Sequence, residues 1–312
     1  MISLGIDVGG TNIKVAAMNE KKELLEVFET TTDVEKGYGL FIRKISNIIS
    51  DMRKKYKQKL AGCCFAIAGD VDSNNGVLRY APNLSGWKNK YIKKDIENLS
   101  NLKCIVQNDA NMAAWGCFIF DLKRKFKNVA VFTLGTGIGG GIILDGKLYC
   151  GSSSSAGEFG HMVINYRGEK CNCGNYGCLE AYCSTYSLKK NAIKKIKNLS
   201  DYIKKYSMEE KELSPKLLYN AALKGDPVAL KLWSEYGVSL GTGIGNVILS
   251  FNPDRVVLCG GVSRAARFFM PYVKKRLCEF GIKAPIKFSK IIVSRHYNVG
   301  VMGAAAFVFE KR

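Results

Sequence analysis

Three cysteines fall within eight residues, at Cys171, Cys173 and Cys178, and His161 stands ten residues before the first of them. Three thiols and one imidazole are the donor set of a closed structural zinc site, whose four protein ligands complete a tetrahedron and leave no open position. Gly174 and Gly177 lie between the last two cysteines, where the chain must turn sharply to bring both sulfurs to one ion. Free cysteine often packs as a small hydrophobe, but such cysteines do not gather with glycines in a polar loop. The spacing is not that of a zinc finger, which pairs two cysteines with two histidines. Glu158 and Glu180 stand at the two ends of this stretch, so carboxylates are held close to the ligands. The ion is expected to shape a neighbouring site rather than to do chemistry.

Two glycine turns carry a different chemistry, in their backbones. Asp7-Val8-Gly9-Gly10-Thr11-Asn12 joins the apolar runs Ile2–Val8 and Ile13–Met18. This predicts strand, tight turn, strand, with N–H groups exposed at the turn. Gly9 and Gly10 allow a ligand close to the backbone, Thr11 adds a hydroxyl, and Asp7 can reach a metal ion. Lys14 is placed to hold a phosphate or simply to be solvated. The same logic recurs in Gly135-Thr136-Gly137, after a strand Val129–Leu134. Gly135, Gly137 and Gly140 fit the dinucleotide pattern, but that pattern needs a helix next, and here Ile142–Leu144 and Asp145-Gly146 predict a strand and a turn.

A third candidate is Asn108-Asp109-Ala110-Asn111, between a strand Lys103–Gln107 and a helix Ala110–Phe120. Asp109 is most simply the helix N-cap, but a carboxylate at a strand end is also well placed as a general base. A fourth is Ala81–Trp87, a polar loop in which Asn83 offers a donor and an acceptor to a hydroxyl-bearing ligand and Trp87 offers an aromatic wall.

The elements that position these groups alternate between strand and helix. Leu24–Thr32 predicts a third strand, and Tyr38–Tyr56 has the apolar period of a helix. Cys63–Ala68 is a short buried strand ending at Gly69, and Lys90–Leu99 a helix. Lys125–Lys127 marks a crossing into a second domain. Beyond Glu180 the chain is mainly helical, with Ser214-Pro215 and Asp226-Pro227 as helix starts. Helix Val228–Leu249 contains Gly237, Gly241, Gly243 and Gly245, expected where a neighbour packs closely. Arg255–Cys259 is a strand opening into Gly260-Gly261 and a helix to Phe280. A last strand, Ile291–Ser294, precedes a helix Val299–Phe309.

With 312 residues the chain is long enough for two domains, and a 47% hydrophobic content suits substantial cores. No apolar run approaches the length of about 18 residues that would span a membrane. Met1–Val8 lacks a basic segment ahead of an apolar one, so no signal peptide is expected, and the thiol-rich composition fits a reducing cytoplasm. The net charge of +20 could serve nucleic acid or a membrane surface, but the lysines are dispersed and no aromatic residues alternate with them as a stacking platform needs. Neither partner is expected.

Glu158-Phe159-Gly160-His161, followed by Cys171-Asn172-Cys173-Gly174-Asn175-Tyr176-Gly177-Cys178-Leu179-Glu180, resembles the signature of the ROK family, which contains bacterial sugar kinases and sugar-responsive repressors. The glycine turns resemble the two phosphate loops of the wider sugar kinase–actin superfamily, and Pro82–Trp87 matches the family's sugar-binding loop. Two positions depart from the pattern: Ala68 replaces a proline before Gly69, and Val262 replaces a third glycine after Gly261. The resemblance, strongest to ATP-dependent glucokinases, implies a two-domain α/β fold of the actin-like ATPase, ribonuclease-H-like type around a cleft. Residues 1–123, completed by 298–312, would form the small domain, and 124–297 the large one. It implies transfer of phosphate from ATP to the 6-hydroxyl of a hexose, glucose first, with N-acetylmannosamine, N-acetylglucosamine and fructose as alternatives and polyphosphate as an alternative donor.

The resemblance also assigns roles. Asp109 would be the base, and Gly69, Asn83, Asn108, Asp109, Glu158, His161 and Glu180 would bind sugar. Asp7, Gly9, Gly10, Thr11, Lys14, Gly135, Thr136, Gly137, Gly260 and Gly261 would bind nucleotide. His161, Cys171, Cys173 and Cys178 would bind structural zinc, and Asp7 the Mg²⁺ of ATP, directly or through water. A homodimer or higher homo-oligomer is implied. A repressor of this family would carry a helix-turn-helix before the first strand, which Met1 directly precedes here. A filament-forming actin relative would not need Glu158, Glu180 and a zinc loop.

Overall fold

Strand β1, Ile2–Val8, is buried along almost its whole length, so it must lie inside a sheet with both faces covered. β2 (Asn12–Asn19) returns antiparallel to it, and β3 (Leu24–Thr31) pairs antiparallel with β2. Helix α1, Tyr38–Tyr56, buries Phe41, Ile42, Ile45, Ile49 and Met52 on one stripe. Each large side chain of this kind contributes roughly 1.5–3 kcal/mol when fully buried. β4 (Leu60–Ile67) is parallel to β1, and after the small pair β5 (Asp70–Asp72) and β6 (Val77–Tyr80) comes α2, Ile92–Ser100. β7 (Cys104–Asn108) is parallel to β4 and completes the order β3-β2-β1-β4-β7. α3, Asp109–Gly116, follows without a break and runs into a π turn, Cys117–Asp121.

The second sheet repeats the first in outline. β8 (Val129–Leu134), β9 (Ile138–Leu144), β10 (Lys147–Tyr149), β11 (Arg255–Cys259) and β12 (Lys290–Val293) have the order β10-β9-β8-β11-β12, with β11 parallel to both neighbours. β9 starts at Ile138 rather than Ile142, so the glycines Gly139–Gly141 are strand, not loop. Their lack of side chains has a packing cause: a Cβ on Gly141 would lie 2.5 Å from that of Ala114. Asp145 (φ 48°) and Gly146 (φ 75°) then make the tight turn into β10, whose positive φ angles suit the twist of a hairpin.

Beyond this hairpin the helices are α4 (Glu180–Cys183), α5 (Thr185–Lys194), α6 (Pro215–Leu223), α7 (Pro227–Phe251), α8 (Ala266–Cys278) and α9 (Lys283–Phe288). Ser214 Oγ accepts from Leu217 N–H at 3.1 Å and Asp226 Oδ1 from Ala229 N–H at 2.8 Å, so both serve as the expected caps. In α7, the bare Cα of Gly237 faces the Phe269 carbonyl and that of Gly241 faces Val273, letting α7 and α8 touch backbone to backbone. The C-terminal helix, Val299–Val308, is buried all round.

The computed structural model describes residues 1–57, 59–194 and 213–311. The chain divides into two units, one formed by Met1–Lys127, Gly141–Gly157 and His296–Arg312, the other by Asn128–Gly140 and Glu158–Arg295. A division at 123/124 would have put Gly141–Gly157 in the second unit. They lie with the first because Gly141 packs on α3, Arg79 donates to the Ser153 carbonyl (2.7 Å) and Ser73 donates to Ser154 Oγ (2.9 Å). Among the described residues, no helix is long and apolar enough to cross a membrane.

Candidate active site

In the first unit, parallel pairing aligns the strand ends: Val8 is in register with Ile67, and Ile67 with Asn108. Asp7, Gly69 and Asn108-Asp109 therefore meet at the carboxyl edge of β1, β4 and β7, the edge where open α/β sheets bind ligands. The first glycine turn closes there through Gly9 N–H to the Asn12 carbonyl (2.9 Å). Thr32, buried, donates its hydroxyl to the Gly9 carbonyl at 2.7 Å. Asn83 belongs to the same edge, since a Cβ on Gly10 would lie 2.9 Å from the Asn83 carbonyl. Lys14 pairs in register with Asp7 across β1 and β2.

Asp109 is not the helix cap that its place in the sequence suggests. β7 extends through Asn108, and it is the Asn108 Oδ1 that accepts from Ala110 N–H (2.9 Å) and Asn111 N–H (3.2 Å). The Asn108 Nδ2 donates to the Gly69 carbonyl at 3.1 Å, tying β7 to the end of β4. Asp109 is thus the first residue of α3, and burial raises its carboxyl above the ordinary range. Burial, and next the charge of Asp109, lifts the Asp7 carboxyl to about 7, with Lys14 opposing. Two acids sharing this edge are poised to meet a cation.

Trp87 forms no exposed wall. Its ring is buried 5.6 Å from that of Tyr38 and 4.5 Å from that of Phe41, filling the core above α1. Asn83 remains exposed in the same loop.

In the second unit, the glycine turn closes through Gly135 N–H to the Gly137 carbonyl (3.0 Å). Thr185 donates its hydroxyl to the Gly135 carbonyl at 2.8 Å, as Thr32 does in the first turn. Sequence inspection singled out neither threonine, because a lone hydroxyl distant in sequence has no signature. Glu180 lies across this turn: its Oε2 accepts from Ile138 N–H at 2.9 Å and stands where a Gly137 side chain would be. Gly260 (φ 90°) ends β11 with its Cα against the Leu134 carbonyl, beside this turn. Gly261 has open space around it, whereas Val262, in the place of a third glycine, is buried.

The zinc stretch folds as a small knuckle. Cys171 N–H donates to the Asn175 carbonyl, Gly174 N–H to the Cys171 carbonyl, and Lys170 bridges Tyr176. Gly177 (φ 75°) admits no side chain, since a Cβ would collide with the Asn165 carbonyl. The ligand atoms of His161, Cys171, Cys173 and Cys178 all lie within 4.8 Å of one another. Cys173 and Cys178 sulfurs are 3.8 Å apart, and Cys171 Sγ is 3.9 Å from His161 Nδ1. Zinc–sulfur bonds of about 2.3 Å at tetrahedral angles require sulfurs about 3.8 Å apart, so the donor set fits that ion. Burial and the neighbouring thiols push the Cys178 thiol up to about 12, a crowding of thiolates that a dication would relieve. The other face of the imidazole, Nε2, is 3.9 Å from Glu158 Oε2, and Cys171 Sγ is 3.9 Å from Glu180 Oε1. The knuckle thus touches both glutamates.

A model of the ROK family matches residues 3–311 of this chain. A glucokinase of Thermotoga maritima is 29% identical over 310 residues, which cover 99% of this chain and 97% of that protein. A xylose repressor of Caldicellulosiruptor bescii is 29% identical over 312 residues, covering 98% of this chain and 77% of the repressor. The crystal structure of a ROK family glucokinase from Streptomyces griseus, in complex with glucose and AMPPNP, covers 99% of this chain and all of its own with a TM-score of 0.84 and 27% identity. The chain belongs to the ROK family and has the actin-like ATPase, ribonuclease-H-like fold of its sugar kinases.

Proposed function

We propose that this sugar kinase transfers the terminal phosphoryl group of ATP to the 6-hydroxyl of a hexose, with glucose as the preferred acceptor. One observation carries most weight. Asn108 supplies the cap of α3, so the Asp109 carboxylate is left for chemistry at the carboxyl edge of a parallel sheet. Burial raises its basicity, which suits a group that must accept a proton from an attacking hydroxyl. The names of the Thermotoga and Streptomyces relatives, and the glucose and AMPPNP of the latter, support the choice of acceptor and donor.

In this mechanism Asn83, Asn108 and the Gly69 backbone orient the sugar in the first unit, and Glu158, His161 and Glu180 supply its partners in the second. Glu180 also braces the second phosphate turn through Ile138 N–H, so sugar and nucleotide share a side chain. Gly9 and Gly135 close the two turns with their own N–H groups, the N–H groups of Gly10, Thr11, Thr136 and Gly137 bind phosphate oxygens, and Gly260-Gly261 admit the adenosine. Asp7 would hold the Mg²⁺ that accompanies the nucleotide, directly or through water, and Lys14 would offset phosphate charge. Little covalent participation is needed in phosphoryl transfer, so positioning and electrostatics dominate. His161, Cys171, Cys173 and Cys178 would hold the zinc, which would serve as a rigid cross-link fixing Glu158 and the outer face of His161.

An ADP-release assay over glucose, N-acetylmannosamine, N-acetylglucosamine and fructose tests this directly, with polyphosphate substituted for ATP in a parallel series. Glucose with ATP is expected to give the highest kcat/KM. Sugar-independent ADP release, or none with any of the four, would overturn the assignment.

A further inference from the structure

A cavity of about 690 Å³ opens within the first unit, lined by none of Asp7, Gly69, Asn83, Asn108 and Asp109, and its volume suits a metabolite-sized ligand. Its floor is the body of β7, Cys104 to Gln107, together with Trp115 of α3. Four lysines line it, Lys93, Lys103, Lys147 and Lys311, against a single carboxylate, Glu310. That carboxylate is already neutralised by Lys22 (3.2 Å) and by Arg124, so the cavity's field is strongly positive. Between the lysines the lining combines the uncharged polar groups of Ser73, Asn74, Gln107 and Ser154 with apolar side chains such as Ile105, Trp115 and Phe307. Gln107, buried, accepts from Cys150 Sγ at 3.8 Å, and the Ser73 and Ser154 hydroxyls are 2.9 Å apart. Cations at the margin, with amide and hydroxyl groups beside an apolar floor, suit a ligand that is anionic at one end and hydroxyl-bearing at the other.

We propose that this cavity is a regulatory site for a phosphorylated small molecule, whose phosphoryl group is held by Lys103, Lys147 and Lys311 and whose body lies on Gln107 and Ser73. The dispersed positive charge of the chain acquires a local use here. The site has a mechanical route to the reaction, and this part rests on the role given to Asp109. Gln107 directly precedes Asn108 in β7, and Trp115 belongs to the helix that Asp109 begins. Asn111, on the same helix, donates to Cys150 Sγ at 3.8 Å, so the cavity wall is bonded to α3. A ligand seated on β7 and α3 acts on the junction that aims Asp109.

The phosphoryl group could come from a hexose phosphate or from an inorganic phosphate chain. Calorimetric titration of the full chain with glucose 6-phosphate and, separately, with tripolyphosphate distinguishes these sources. Binding of at least one is expected, weakened about tenfold or more in a Lys103→Gln/Lys147→Gln double variant, as loss of charge-assisted hydrogen bonds predicts. The same variant should keep its turnover without added ligand, while wild-type turnover changes when the ligand is present. Since titration needs no turnover, it reports on the cavity whether or not the kinase assignment stands. Binding that survives in the lysine variant but disappears in Glu158→Gln would place the ligand at the reacting centre only and overturn the proposal. So would the absence of binding by either probe.

Discussion

The acids proposed to act on the sugar are held in two different ways. Asp109 sits where a parallel strand becomes a helix, and its position is fixed by ladder hydrogen bonds on one side and the Asn108 cap on the other. Glu158 and His161 sit on a single 3₁₀ turn, and what holds them is the knuckle of Cys171–Cys178. Regular secondary structure needs no ion to be rigid, because each residue fixed adds a backbone hydrogen bond. A loop with few such bonds must take its rigidity from elsewhere, and four ligands converging within 4.8 Å supply that place. The comparison therefore separates chemistry from recognition: the base should survive loss of metal, and the sugar's partners should not.

The largest effect should come from the rigid side. Asp109→Asn keeps shape but removes basicity, and general base catalysis typically contributes about 10²–10⁴-fold, so kcat should fall by roughly that factor. Stability should hardly change, since the cap belongs to Asn108. The wild-type pH profile gives a second check. A base acts when ionised, and burial raises the Asp109 pKa, so kcat should begin to fall with decreasing pH above the ordinary carboxylate value of about 3.9. A wild-type limb confined to that ordinary range, or near-normal kcat in the variant, would show that Asp109 is not the base.

Next in size is loss of the ion. Chelation, or Cys173→Ser at an exposed ligand, should raise the sugar KM by about 10–100-fold, the range seen when the support of a metal site is removed. Hydrogen exchange should quicken across 158–180 and stay unchanged in β7 and α3. Equal acceleration in both regions would mean that the ion supports the whole fold and the comparison fails. Glu158→Gln alone should do less than chelation, because His161 and Glu180 stay in place. A charged hydrogen bond contributes about 1.5–3 kcal/mol, so the sugar KM should rise at most by that equivalent, with the KM for ATP unaffected.

How much of this was legible in the sequence follows the same divide. The knuckle was read from residue types and spacing alone, because metal chemistry permits few donor sets. Helix α1 was placed at Tyr38–Tyr56 because its apolar stripe is long, and Ser214 and Asp226 were recognised because proline follows each. Three details were not legible, each for a tertiary reason. Asn108 and Asp109 are both good caps, and the choice between them was made by β7 extending to meet Ile67. Trp87 follows a polar loop but is drawn into the core by the space beside Tyr38 and Phe41. Gly139–Gly141 has loop composition, yet close packing against Gly141 keeps it in a strand. The threonines that hold the two glycine turns, Thr32 and Thr185, lie 23 and 50 residues from the carbonyls they serve.

The smallest effect is at Asn108, where the structural and the proposed functional roles of one side chain can be pulled apart. Its Oδ1 caps α3 and its Nδ2 holds the Gly69 carbonyl. Asn108→Ala removes both and should cost about 0.5–2 kcal/mol of stability, mostly from the cap. Asn108→Ser restores a capping oxygen, and serine caps about as well as asparagine, so most of that stability should return in thermal unfolding. Serine is too short to keep the amide bond to Gly69 or to reach a sugar hydroxyl. If Asn108 orients the sugar, the serine variant should remain defective in sugar KM although its fold has recovered. Recovery of KM together with stability would reduce Asn108 to a cap, and the sugar would then be oriented in this unit by Asn83 and the backbone alone.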